Sequence, residues 1–265
     1  MLTVSGNGVH LAVEAADGGR ITRLVAHGRQ WLAPSGPRTV GERFPGPGTG
    51  GWDDVVPTVS PCRLPDGTEL PDHGDAWRRP WTVTERGRPV LGMRVDLLSL
   101  PVTLERRILA TEDGVRIDWT ASTWQEQPIP LLWSAHPLFS APRGTVILSG
   151  AESVMEEYPV RGRTVDNPGG IDAFGPGSAL KAFVSGSSCA SVVHADDRGV
   201  QLSWDPVRLP HLGLYWDRGV FTETPVVSIE PTTGPGDSAA DVLSHLPVVH
   251  RGRPLNWWIE ISAVG

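Results

Sequence analysis

Three short stretches of the sequence combine groups that move protons with residues that turn the chain. They are Asp72-His73-Gly74, Trp133-Ser134-Ala135-His136-Pro137 and Ser228-Ile229-Glu230-Pro231-Thr232-Thr233-Gly234. A carboxylate and an imidazolium on opposite sides of one reacting centre can remove one proton and deliver another. A reaction that runs both ways suits a histidine titrating near neutrality and a partly buried glutamate whose pKa is raised to match. Each residue also has a plain structural reading, as a hydrogen-bonded histidine at a strand end or a solvated glutamate before a turn. The chemistry therefore depends on whether the fold brings the three stretches to one cleft.

The elements that would position them are strands. Val226-Val227-Ser228-Ile229 leads into Glu230, and alternation puts Val226, Ser228 and Glu230 on one face. Val227 and Ile229 take the other, core-facing side. Pro137 cannot continue a central ladder, so His136 is expected at a strand end or edge. Val9, Leu11 and Val13 alternate with His10, Ala12 and Glu14. Val102, Leu104 and Arg106 share one face of the next such run, and Val115, Ile117, Trp119 and Ala121 share one face of another. Thr111-Glu112-Asp113-Gly114 joins these last two as a hairpin turn. Cys189–His194 and Val200–Trp204 form a second hairpin around Asp196-Asp197-Arg198-Gly199, and Trp257–Ile261 reads as a further strand. No stretch longer than about 10 residues has a helical period. The fold class expected is all-β, a large antiparallel β-sandwich, as one domain over residues 1–265.

Arg38–Trp81 breaks the alternation and reads as a long functional loop, with Gly50-Gly51-Trp52-Asp53-Asp54-Val55-Val56-Pro57 at its centre. Met155–Ser178 is a second irregular stretch. Trp52, Trp77, Trp81 and Trp216 serve either the core or the apolar C–H face of a sugar, which aromatic rings stack against.

The chain has 265 residues, 39% of them hydrophobic, with 11 Trp and a net charge of −7. Lys181 is its only lysine. No basic stripe runs along the chain, which argues against a nucleic-acid partner. No apolar run reaches membrane-spanning length, and the N-terminus lacks the pattern of a signal peptide. Cys62 and Cys189 read as two free thiols in a reducing compartment in preference to a disulfide. A soluble cytoplasmic protein is expected.

Gly51-Trp52-Asp53-Asp54, Leu70-Pro71-Asp72-His73-Gly74, Ala135-His136-Pro137-Leu138-Phe139, Leu209-Pro210-His211-Leu212-Gly213 and Glu230-Pro231-Thr232-Thr233-Gly234 follow one another in the order seen in bacterial aldose 1-epimerase-like proteins. From about residue 8 to the end the chain resembles that family. The resemblance implies a galactose mutarotase-like β-supersandwich. It also implies interconversion of the α and β anomers of a free sugar, with neither metal nor organic cofactor. By the same resemblance Glu230 is the general base at the anomeric hydroxyl and His136 the general acid at the ring oxygen. His73 is the second histidine, bonding near that oxygen. The residues expected to contact the sugar are Trp52, Asp53, Asp54, Trp77, Arg78, His211 and Trp216. The family's arginine ahead of the first histidine has no match around Gly41-Glu42-Arg43-Phe44, and its ring-binding aspartate falls to Asp166 or Asp172. Arg78 and Arg79 would suit an acidic or phosphorylated sugar, or simply pair with carboxylates. Two other functions fit the same residues. One is sugar binding without catalysis. The other is another isomerase or lyase on the scaffold, including glycoside cleavage by Glu230 with Asp53 or Asp54. A metal held by His73, His136 and His211 is the weaker idea, because their spacing matches no ligand motif. A monomer or homodimer with a small-molecule sugar as its partner is expected.

Overall fold

The computed structural model describes residues 1–38, 46, 48–87 and 89–265, so Gly41-Glu42-Arg43-Phe44 lies outside the described residues. The fold is all-β, with 51% of the chain in strands and 4% helical. Among the described residues, two antiparallel sheets of eleven and eight strands carry the core between them. The central run of the larger sheet is Gly51–Val55, Ser134–Ser140, Val226–Thr232, His211–Asp217 and Ala179–Ser185, followed by Ser153–Tyr158. Leu2–Gly6, Val9–Glu14 and Arg20–Ala26 extend it on the other side. Gly199–Trp204, Leu255–Val264, Val115–Thr123 and Val102–Ala110 form the middle of the smaller sheet. Among the described residues no helix is long and apolar enough to cross a membrane.

Alternation explains most of this. In Val115–Thr123 every second residue is buried, and the strand pairs with Val102–Ala110 through the Asp-Gly hairpin, Ala110 opposite Val115. The second hairpin pairs Cys189–Val193 with Gly199–Trp204. Both cysteines are free thiols. Trp119 and Trp257 of the smaller sheet meet Trp133, which immediately precedes the larger sheet's strand Ser134–Ser140, with ring centroids 4.8 and 5.2 Å away. Aromatic payloads of this size contribute strongly to inter-sheet packing.

Three local expectations change. Gly51–Val55 is a strand in the middle of the larger sheet, with all five residues buried, and not part of a loop. The acidic pair Asp53-Asp54 hides it, because two adjacent carboxylates look solvated until each finds a buried cation. The Met155–Ser178 stretch supplies two strands, Ser153–Tyr158 and Thr164–Asp166, before its single 3-10 turn at Ile171–Ala173. His136 lies inside a strand and not at its end. Pro137 interrupts the ladder with Val226–Thr232 locally, and the hydroxyl of Ser228 donates to the Pro137 carbonyl at 2.6 Å in its place.

Candidate active site

Alternation along Ser134–Ser140 aims His136 and Leu138 away from the core and onto the outer face of the larger sheet, where both line a cavity of about 370 Å³. That volume is in the range of small-molecule sites. The next strand pairs Ser134 with Thr232 and Phe139 with Val227, and the same offset sets Glu230 opposite His136. Glu230 Oε1 lies 3.9 Å from His136 Nε2. Both side chains are buried, Glu230 almost completely.

His73 arrives from a loop. The loop is tied to the sheet by the Asp75 amide donating to the Val56 carbonyl at 2.8 Å and the His73 amide donating to the Val59 carbonyl at 2.7 Å. His73 has φ +54°, a strained value for a residue with a side chain, which is common where function fixes the geometry. Its Nδ1 sits 2.8 Å from Asp72 Oδ1, and its ring meets His136 edge-on at 5.2 Å between centroids. The loop also docks on the turn beyond Glu230, since the amides of Val59 and Ser60 donate to the Asp237 carbonyl at 2.9 and 2.8 Å. The three sequence stretches thus converge.

Gly74 makes this possible. Its φ is +67°, and a Cβ there would sit 1.9 Å from the Val56 carbonyl oxygen. Gly74→Ala is expected to destabilise the protein by about 1–3 kcal/mol through displacement of the loop. Thermal unfolding checks this, and an unchanged melting temperature would show that the loop is not clamped there.

The sequence reading missed the group closest to Glu230. Lys181, buried on Ala179–Ser185, donates from Nζ to Glu230 Oε2 and lies 3.8 Å from Asp237 Oδ1. It reaches across Gly213, where a Cβ would stand 3.2 Å from Glu230 Oε2 and 3.4 Å from Lys181 Cε. The signal was present in the sequence, because this is the chain's one lysine. Asp237 and Glu157 also line the cavity, and no pattern marked them. Tyr158 and Phe221, both partly exposed, form an edge-on aromatic pair at 5.4 Å on its rim.

Electrostatics depart from the expected matching of base and acid. Burial by itself would raise the Glu230 pKa, but the Lys181 ammonium and the hydrogen bond it donates outweigh it, so the carboxyl sits below its ordinary value. Burial pushes His136 down to about 3 against the pull of Glu230, so the imidazole is neutral at neutral pH. Burial raises Asp237 despite Lys181, and burial followed by the proximity of Asp237 raises Glu157. A histidine whose folded pKa is depressed binds its proton more readily in the unfolded chain. Its contribution to stability is therefore complete above about pH 6.5 and is lost as the pH falls toward about 3. Urea unfolding across that window is expected to show this decline, and His136→Gln is expected to flatten it. An equal slope in the variant would assign the decline to other groups.

Several residues expected to contact sugar lie elsewhere. Trp52 points into the core with no exposure, because it shares the inward face with Asp54. Asp54 is also fully buried, held by Arg106 at 2.6 Å and by the indole N–H groups of Trp119 and Trp133 at 2.8 and 3.0 Å. Asp53 is on the outer face opposite His136, yet its carboxylate is taken by Arg38 and does not line the cavity. Neither aspartate can therefore act with Glu230 on a glycosidic bond. Trp77 is buried between Arg38 and Arg78, whose guanidinium carbons each lie 4.8 Å from the ring centroid. Arg78 is exposed and donates to the Asp72 carbonyl at 3.1 Å, outside the cavity. His211 shares the outer face with Tyr215 but sits beyond the cavity lining, 2.8 Å from the Ser185 hydroxyl. Among the described residues no group of three or more His, Cys, Asp and Glu side chains could hold a metal ion. Trp216 faces the core and donates to the Gly169 carbonyl at 3.2 Å. Asp172 accepts from the Gly144 amide at 2.9 Å and Asp166 lies on an edge strand, so neither reaches the cavity.

No protein-family model matches the chain, and no curated protein matches it in sequence. Solved structures do match in shape. Slr1438 from Synechocystis sp. PCC 6803 shares 18% identity over 99% of this chain and 96% of its own, with a TM-score of 0.77. An Escherichia coli K12 protein provisionally assigned as an aldose 1-epimerase shares 15% identity over 99% of this chain and 98% of its own, with a TM-score of 0.77. A galactose mutarotase-like protein from Lactobacillus casei ATCC 334 shares 15% identity over 99% of each chain, with a TM-score of 0.76. Covered almost end to end by such structures, the chain has the galactose mutarotase-like fold.

Proposed function

We propose that the chain is an aldose 1-epimerase, an isomerase that opens and recloses the ring of a free monosaccharide and so exchanges its α and β anomers. The observation that carries this reading is the position of Glu230 Oε1, 3.9 Å from His136 Nε2 beside a cavity that His73 also lines. The ionised Glu230 takes the proton of the anomeric hydroxyl as the C1–O5 bond breaks. Rotation about C1–C2 of the open aldehyde and closure with the proton roles reversed give the other anomer. His136, neutral at this depth, and His73 beside it hold ring and hydroxyl oxygens by hydrogen bonds. Glu157 and Asp237 line the same cavity, where their carboxyl groups are placed to hydrogen-bond sugar hydroxyls.

An uncharged sugar fits this site best. No arginine lines the cavity among the described residues, and its one cation, Lys181, is already paired with Glu230. Polarimetry on a panel of neutral, acidic and phosphorylated aldoses tests the reading. Faster mutarotation of a neutral member supports it, and no acceleration of any member overturns it. The lowered basicity of Glu230 favours a second reading, sugar binding without catalysis. That reading predicts saturable binding with no change in anomer exchange.

A further inference from the structure

Anomerisation needs a proton donor at the ring oxygen, and His136, buried and uncharged, lacks a proton to give without becoming an anion. We propose that Lys181 is that donor: its Nζ, held against Glu230 Oε2 at the cavity wall, delivers a proton to O5 while Glu230 Oε1 removes one from the O1 hydroxyl. This rests on the mutarotase reading above. The two sugar oxygens share one carbon, so an acid and a base that stand side by side can serve both, as Nζ and the glutamate carboxyl do. Glu230 Oε1 is buried, accepts no hydrogen bond among the described residues, and lies 3.9 Å from His136, which lines the cavity.

The step balances. The O1–H proton moves to Glu230 as C1=O1 forms and C1–O5 breaks, and the bonding pair stays on O5, which takes a proton from Nζ. The ion pair becomes a neutral carboxylic acid and a neutral amine, and the open aldehyde lies between them. Closure on either face of C1 returns both protons. Burying the neutral pair avoids the desolvation that a lone charge would incur.

The surroundings of Lys181 couple the two transfers. Burial favours its neutral amine, and the charges of Glu230, Asp237 and Glu157 hold the proton on. His136 faces it from Ser134–Ser140, and Tyr215 and Tyr158 flank it on the neighbouring strands. When Glu230 accepts the sugar's proton, the largest of the opposing charges disappears and burial then drives the ammonium to release its own. The base thus switches on the acid.

The test is the pH profile of kcat/KM for wild-type mutarotation, with Lys181→Met and Lys181→Arg beside it. A lysine donor predicts a profile that stays level from about pH 6 to 9, whereas a histidine donor, with a pKa at or below about 6.5, predicts a rate that falls as the pH rises through that range. Lys181→Met is expected to lose about 10²–10⁴-fold in rate while still binding the sugar. Lys181→Arg keeps the charge and the pair with Glu230 but holds its proton too tightly to give it up, so it is expected to be equally slow. A profile that falls through the histidine range, or an arginine variant within a few-fold of wild type, overturns the proposal and leaves the mutarotase reading standing. A wild type that accelerates no aldose overturns both.

Discussion

Glu230→Gln slows mutarotation by about 10²–10⁴-fold, the usual contribution of one positioned proton-transfer group, while the sugar still binds within a few-fold of wild type. Glutamine keeps the shape of the side chain and its hydrogen-bonding reach but cannot take the anomeric proton. Asp237, 3.8 Å from Lys181, remains to pair with the ammonium, so the buried cation is not stranded. Polarimetry measures the rate, calorimetric titration the binding, and a melting curve confirms the fold. The acid limb of the wild-type profile also follows. With the Glu230 pKa below its ordinary value, the base stays ionised as the pH drops past the usual carboxylate range, and activity survives there as far as this group decides. A variant that keeps wild-type rates would remove Glu230 from the chemistry.

The second large effect is on stability. Arg106 and Asp54 form an ion pair between the two sheets, both side chains fully excluded from water. Arg106→Met leaves Asp54 with the indole donors of Trp119 and Trp133 but without a countercharge. Breaking one side of such a pair is expected to destabilise the fold by about 3–5 kcal/mol. Adding Asp54→Asn removes the stranded charge and is expected to recover part of the loss, because a buried pair exchanged as a unit often leaves stability little changed. Urea unfolding of wild type, single and double variants measures both values. A single-variant loss under about 1 kcal/mol, the range of exposed ion pairs, would mean that water reaches the pair. The link to function is direct: Asp54 stands opposite Ala135, the neighbour of His136, so this pair fixes the floor on which His136 rests.

The parts of this molecule that repeat with a period were legible in its sequence. Alternation placed Glu230 and Val227 on opposite faces and found both hairpins. It also put Arg106 on the same face as Val102 and Leu104, which is the core face, although the charge argued otherwise. Where charge and burial coincide, the pattern misleads. Asp53 and Asp54 look like a solvated loop and form a buried strand, because Arg38 and Arg106, distant in sequence, neutralise them. Tryptophans gave no reliable guide to the cavity. Trp52 and Trp216 fill the core, and the rings at the cavity are Tyr158, Tyr215 and Phe221. Aromatic type alone does not reveal which face of a strand a ring occupies. Lys181 was conspicuous as the one lysine, but its pairing with Glu230 depends on strand register and on the missing side chain at Gly213. Asp237 reaches the cavity through a turn whose amide partners, Val59 and Ser60, lie far upstream. Period-based reading cannot foresee such contacts.

Exchange NMR on an aldose labelled at C1 addresses the central claim most directly, because it watches the two anomers interconvert at equilibrium. If Glu230 and its neighbours open the ring, cross-peaks between the anomeric signals grow in proportion to added protein and saturate with sugar concentration. Sugar signals that broaden on binding while the exchange rate stays at its protein-free value would contradict it.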